Sequence, residues 1–303
     1  MDQMGTTLTR KEEIIHTLML VLCAMIWGSA FVAQSIGAEF VGPFTFLALR
    51  NWVAIIFLIP VIAIRDRVIA WKGGMSEAPG NRYQWKMLIL GGAFCGLFLF
   101  LGSAAQQVGI ASTTTAKAGF ITAQYVVIVP VFSVFLGKRV KSKIWTCVVL
   151  SVIGLYLLCI NGPLELEFGD SIILVSAFLY AVQIMCVDHF SPMTDPVRLS
   201  FAQFFATGIL ATVCMLLFEP ISVEALRYAA GSILYAGVMS SGVACTLQIV
   251  GQQNLNPTIA SLSMSLESVF SAISGWIVLG QALSVREAAG CIFMFAAIVL
   301  SQV

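Results

Sequence analysis

Three ionisable residues, Glu267, Arg50 and Lys117, sit in stretches of sequence otherwise too apolar to hold them. A charge at the centre of a bilayer costs at least ~2.5 kcal/mol on insertion scales, so each needs a partner or a wet cavity. Glu267 lies ten residues past Pro257, about 15 Å of helical rise, or half the thickness of the hydrocarbon core. A carboxyl at that depth can take up and release a proton as a solute moves past it, or hold an ammonium group. Its other role would be structural, a neutral acid locking helices together through hydrogen bonds. Arg50 is seven residues past Pro43, about 10 Å below the boundary and deeper than its side chain easily lifts to water. Either it pairs with Glu39, or it faces a cavity and holds a carboxylate or phosphate in its bidentate fork. Lys117, nearer the end of its stretch, is a gate or vestibule charge or snorkels to the surface.

Uncharged polar and aromatic residues add to this set. Gln34, Gln106, Gln107, Gln183, Gln203 and Gln248 are too many for lipid-facing positions, so some of them line a polar interior. Gln124 lies at a depth similar to that of Glu267 and would orient a ligand. Trp27, Phe120, Tyr125, Tyr180 and Trp276 are candidates for the cavity wall, for an interfacial belt or for plain core. Ser261, Ser265, Ser268, Ala272 and Gly275 share one helical face, and Gly92 and Gly96 form a lone GxxxG. Both patterns read as close helix packing.

Ten apolar stretches are needed to carry these groups, near residues 15–36, 43–64, 86–107, 113–136, 143–161, 169–188, 197–218, 231–250, 257–279 and 285–303. The chain has 303 residues, 59% hydrophobic and 10% charged, against roughly 25% charge in a soluble domain. Breakers separate the stretches, and Pro43, Pro196 and Pro257 stand where helices would begin. The apolar run after Arg10 and Lys11 extends to about Ile36, longer than a secretory h-region, and reads as a first span rather than a cleaved signal. Arg10, Lys11, Arg65, Arg67, Lys72, Arg82, Lys86, Lys138, Arg139, Lys141 and Lys143 fall on one side of the first five spans and only Lys117 on the other. The positive-inside rule therefore places both termini in the cytoplasm. The second half votes weakly, with Arg198 inside against Arg227 and Arg286 outside.

Several functions are disfavoured. A net charge of +1 gives no basic surface for nucleic acid. Phe132 stands where a phosphate-binding loop ending in Gly137-Lys138 would need its first glycine. His16 and His189 are the only histidines, so neither a Ser-His pair in the membrane nor an HExxH zinc site can be assembled, and no cofactor or metal is expected. The eight cysteines, Cys23, Cys95, Cys147, Cys159, Cys186, Cys214, Cys245 and Cys291, lack CxxC spacing and read as small core hydrophobes. An intramembrane enzyme would need a second acid or a nucleophile beside Glu267. A sensor or assembly subunit would need an exposed domain, yet the tenth stretch runs to Val303.

The chain also matches itself. Ala24, Trp27, Pro43 and Arg50 pair with Ala177, Tyr180, Pro196 and Gln203, 153 positions later. Thr115, Gln124, Val126, Leu136, Gly137 and Lys143 pair with Thr258, Glu267, Val269, Leu279, Gly280 and Arg286, 143 positions later. This divides the chain into units 1–163 and 164–303 of five spans each. An odd number of spans inserts the second unit upside down, which would bring Gln124 and Glu267 together near the midplane.

The runs Ile26-Trp27-Gly28-Ser29-Ala30-Phe31, Pro43 to Arg50, Thr115-Ala116-Lys117-Ala118-Gly119-Phe120, Leu136-Gly137-Lys138-Arg139-Val140 and Leu266-Glu267-Ser268-Val269-Phe270 resemble the EamA repeat of the drug/metabolite transporter superfamily across essentially the whole chain. The resemblance implies an all-α polytopic membrane protein, two inverted five-helix repeats around a central cavity, working as a secondary transporter of small metabolites. Helices one, three, four, six, eight and nine would line the cavity. Ser268 replaces a proline common at this place in the second repeat, which leaves no proline to break helix nine. Together with charges of both signs, the resemblance points to export of an amino acid or related zwitterion by alternating access. Glu267 would be the proton-coupling or ammonium site, Arg50 or Lys117 the anion site, and Gln124, Trp27, Tyr125, Tyr180 and Gln248 further ligand contacts. The alternative is a proton-coupled exporter of hydrophobic cations. The partners expected are a small-molecule substrate and the lipid of the cytoplasmic (inner) membrane, with a homodimer compatible.

Overall fold

A computed structural model describes residues 9–71, 82–110, 115–137, 140–159, 168–279 and 284–302, leaving out the side chains at 115–117, 159, 275, 278–279 and 302. Its regular structure is entirely helical among the described residues. The first half holds α1 (Arg10–Ala38), α2 (Pro43–Trp71), α3 (Arg82–Ile110), α4 (Thr115–Thr122), α5 (Tyr125–Phe135) and α6 (Ser142–Cys159). The second holds α7 (Phe168–Phe190), α8 (Pro196–Phe218), α9 (Val223–Tyr235), α10 (Thr246–Gln252), α11 (Pro257–Met264), α12 (Glu267–Leu279) and α13 (Val285–Gln302).

Local chemistry explains where these helices start. Thr9 and Glu12 form a capping box at α1, each side chain meeting the other's backbone N–H. Pro196 and Pro257 open α8 and α11, behind Asp195 and Asn256, whose side chains accept from the N–H groups of Arg198 and Thr258 at 2.8 and 2.9 Å. Pro43 opens α2 with no such residue before it. The Glu219 carboxylate at the end of α8 caps it instead, accepting from the Phe44 and Thr45 N–H groups at 2.8 and 2.7 Å. Several helices outrun the hydropathy that marks them. α1 begins at Arg10 rather than near 15, and α2 continues to Trp71 rather than stopping near 64. The charges that end an apolar stretch do not end a helix, and Arg65 and Asp66 are held in ion pairs on its last turns.

Among the described residues, seven stretches are long and apolar enough to cross a bilayer: Arg10–Ala38, Pro43–Trp71, Arg82–Ile110, Ala118–Phe135, Phe168–Met193, Pro196–Phe218 and Val223–Gln252, with Ser142–Leu158 a shorter one. Their outward faces carry large apolar side chains such as Ile56, Leu216 and Leu217, about two-thirds exposed. Water would not tolerate such a surface and lipid does. This is a multi-pass membrane protein.

Three rods are irregular. The fourth expected span is broken at Ala123–Gln124, where the Gln124, Val126 and Val127 N–H groups bond three residues back instead of four. The ninth is broken at Ser265–Leu266, and by something other than proline, since Ser268 stands where the family's proline would. The hydroxyls of Ser261, Ser263 and Ser265 bond to the carbonyls of Thr258, Ile259 and Leu262. Side chains that compete for helix carbonyls in this way bend helices. Between α9 and α10, Ala236–Cys245 winds as a ten-residue π-helix.

Close backbone contacts lock the bundle. The small-residue expectations are met where Gly92 and Gly96 of α3 receive Ala202 and Ala206 of α8, and where the Ser268 hydroxyl donates to the Gly119 carbonyl at 3.1 Å. Without a hydrophobic drive inside lipid, such contacts are what hold membrane helices together. α1 lies on α12, and a Cβ on Gly28 would come within 2.6 Å of the Glu267 carbonyl oxygen and the Ser271 nitrogen.

Candidate functional site

These packing contacts leave a cavity of about 670 Å³ of empty space, open mouth included, walled by α1, α2, α3, α7, α8, α10, the π-helix and both broken rods.

Arg50 and Glu267 both line it. Arg50 is 8% exposed and donates through Nη1 to Gln34 Oε1 and through Nη2 to Ser103 Oγ, each at 3.3 Å. Its Nε has no partner, and no carboxylate pairs with it among the described residues. Glu39 therefore does not neutralise it, and the described bonds of Arg50 go to α1 and α3 instead. A buried guanidinium with an unmet donor and no acid beside it is costly, and Arg50 carries that cost on the cavity wall. Glu267, 5% exposed, accepts one hydrogen bond, from the Tyr125 hydroxyl at 3.0 Å. Its position follows from the break: it is the first residue of α12, pressed against Gly28 of α1.

Polar groups connect the two walls. The Tyr180 hydroxyl lies 3.1 Å from Ser103 Oγ and donates to Gln106 Oε1 at 3.2 Å, and Gln106 Nε2 donates to Thr122 Oγ1 at 3.1 Å. Deeper along α7, Gln248 Nε2 donates to Gln183 Oε1 at 3.1 Å and Gln183 Nε2 to Gln203 Oε1 at 3.4 Å. The Trp27 indole N–H bonds to the Ser240 carbonyl at 3.2 Å, on the π-helix. A π-turn widens the helix and leaves carbonyls available to side chains, a geometry common at functional sites.

The cavity thus gathers Arg50, Glu267, Trp27, Tyr125, Tyr180 and Gln248 from the sequence candidates, with Gln34, Gln106 and Gln183 from the interior glutamines. Gln124 is not on its wall. The amide bonds back to the Phe120 carbonyl at 3.2 Å, because the break turns the helix by one position and presents Tyr125 in its place. Phe120 packs into core, and Trp276 is half exposed on the outer surface. The Lys117 side chain lies outside the described residues. Asn51, Ser103, Thr122, Ser240, Ser241 and Cys245 line the cavity without having been singled out. The one sequence signal for Ser240 and Ser241 is their position between Gly237 and Gly242, small residues in an otherwise apolar run. Seven cysteines are free, four buried and three half-buried, while the Cys159 side chain is not described.

The EamA-like transporter family matches residues 14–160 and, a second time, 167–302. An uncharacterized transporter of Archaeoglobus fulgidus is 29% identical over 290 residues, 95% of this chain and 86% of its own. The uncharacterized transporter YoaV of Bacillus subtilis is 19% identical over 283 residues, 91% of this chain and 93% of its own. A crystal structure 19% identical in sequence superposes with a TM-score of 0.72 over 94% of this chain and 96% of that one, a likeness of fold.

Proposed function

Because the chain belongs to the EamA-like transporter family, we propose that this membrane transporter carries a small zwitterion, an amino acid or a close relative, out of the cell. It works by alternating access and draws on a proton or substrate gradient. One observation carries this reading: Arg50 and Glu267 face the same cavity, unpaired with each other, Arg50 without a described acid and Glu267 bonded only to Tyr125. A buried guanidinium without an acid is costly, and a carboxyl on the same wall that can ionise gives a bound ligand a second group to join to it. A molecule with a carboxylate for Arg50 and an ammonium for Glu267 fits that arrangement.

In this reading ten spans form two five-helix units of opposite orientation in the inner membrane, with both termini cytoplasmic. The breaks support it: Ala123–Gln124 and Ser265–Leu266 interrupt the fourth and ninth rods at nearly equivalent places. Interrupted rods in corresponding positions of two halves are a feature of transporter binding sites. The family match in two successive segments supports it as well.

Reconstituted protein loaded with mixed unlabelled amino acids should accumulate a labelled one by counterflow. A proton gradient should drive uptake in the native chain and fail to do so in Glu267→Gln. Counterflow of tetraphenylphosphonium in place of amino acids would instead favour a hydrophobic-cation exporter. Unchanged pH dependence in Glu267→Gln would remove the coupling role.

A further inference from the structure

The hydrogen bonds on the cavity wall share one direction. Tyr180 spends its hydroxyl proton on Gln106, so Ser103 must donate to Tyr180, and Ser103 itself accepts from Arg50. Gln106 then donates to Thr122. A charged donor at the head polarises every link after it. The chain starts at Arg50 on α2 and passes through α3, α7 and α3 again. It ends at Thr122, the last residue of α4. Across the two-residue break stands Tyr125, the first residue of α5, which holds Glu267. One lip of the break is therefore tied to the arginine and the other to the acid.

We propose that an anionic group bound at Arg50 is sensed at the break between α4 and α5 through Ser103, Tyr180, Gln106 and Thr122, which set whether Tyr125 stays on Glu267. This rests on the transport reading and adds to it the route by which the two charge sites communicate. An anion that draws Nη2 away from Ser103 removes the group that orders the chain. Ser103 can then reverse, Tyr180 and Gln106 lose their fixed direction, and Thr122 is released from the wall. α4 becomes free to swing about Ala123–Gln124. The four residues are positioning residues, acting on the break rather than on the solute.

A ligand-free test removes the head of the chain instead of diverting it. Hydrogen exchange is followed on the full chain in nanodiscs, at amides 121–128, in Arg50→Gln, in Thr122→Val and in the double variant. Thr122→Val deletes the hydroxyl at constant shape. Arg50→Gln should speed exchange at the break at least threefold in the native background and add nothing in the Thr122→Val background, with Thr122→Ser restoring the response. Ser103→Ala provides a second perturbation should Arg50→Gln fold poorly, and exchange in α6 and α13 should stay unchanged throughout. Equal acceleration in both backgrounds, or none in the native one, would overturn the proposal. No transport step enters this cycle, so its failure leaves the carrier reading standing, and a failed counterflow experiment leaves the cycle readable.

Discussion

Thr45 and Glu219 meet at one end of the α2–α8 pair through a 2.6 Å hydrogen bond, and their counterparts 153 positions away, Arg198 and Asp66, meet at the other end at 2.6 Å. In both pairs a residue on the first turn of one helix meets an acid at or near the end of the other. The two helices are therefore antiparallel and exchange the same contact at each end, the arrangement two oppositely oriented copies of one unit would make. The two contacts differ in weight. Glu219 accepts three hydrogen bonds at the positive end of α2, whereas Asp66 is about one-third exposed and Arg198 also lies 3.6 Å from Asp195.

Glu219→Ala should therefore cost more than Asp66→Ala. Removing a cap that serves a helix N-terminus costs about 1–2 kcal/mol, while a partly exposed ion pair contributes about 0–1 kcal/mol. Thermal unfolding in detergent should show a loss of a few degrees for Glu219→Ala and a smaller one for Asp66→Ala. The reverse order would mean that the cap is not what holds the start of α2.

Gly28 and Gly231 make a matched pair for testing how α12 is seated. A methyl group at Gly28 would collide with the Glu267 carbonyl, the Phe270 Cβ and the Ser271 nitrogen, whereas a methyl group at Gly231 meets nothing within 4 Å. Gly28→Ala should destabilise by about 1–3 kcal/mol through overpacking and shift Glu267 from Tyr125, lowering transport as well. Gly231→Ala, inside α9, should gain about 0.5–1 kcal/mol from helix propensity and leave transport alone. Unfolding curves and counterflow on the same two preparations check both statements.

These positions also mark how far the sequence is legible. Burial is readable, because counting 1.5 Å per residue from Pro257 and Pro43 puts Glu267 and Arg50 far inside apolar stretches, and both are buried. Helix starts at prolines are readable for the same local reason. Azimuth is readable only while a helix keeps its period. Gln124 and Tyr125 are neighbours, and the break between α4 and α5 decides which of them faces the cavity. Ser240, Ser241 and Cys245 owe their place to a π-helix, which resets the period over ten residues. Arg50's partners, Gln34 and Ser103, sit 16 and 53 positions away, a pairing that only the packed bundle makes.

Cys245 gives a chemical view of the cavity, since it lies on the wall while Cys23, Cys95 and Cys147 are buried off it. In a variant keeping only that cysteine, a small methanethiosulfonate should react, and a transported zwitterion should slow the reaction. A quaternary ammonium of similar size should protect far less, because it offers nothing to Arg50. Equal protection by both would point to a site governed by Glu267 and the aromatics alone. Labelling followed by intact-mass measurement reads this directly.

Arg50→Lys tests whether the guanidinium is wanted for its charge or for its shape. Arg50 reaches Gln34 with one nitrogen and Ser103 with another while Nε stays unpartnered, so three directions are served by one planar group. An ammonium is a single point on a flexible stem and cannot hold Gln34 and Ser103 while presenting a further donor to a ligand. The lysine variant should therefore fold, because the positive charge and its cavity remain, yet bind the anionic end at least ten-fold more weakly, about 1.4 kcal/mol. Arg50→Gln should lose binding further while unfolding at a similar or higher temperature, since it removes a buried unpaired charge. Isothermal titration with the amino acid identified by counterflow checks the affinities. Native affinity in Arg50→Lys would show that charge alone suffices, and loss of folding in Arg50→Gln would show that the arginine holds the bundle rather than the solute.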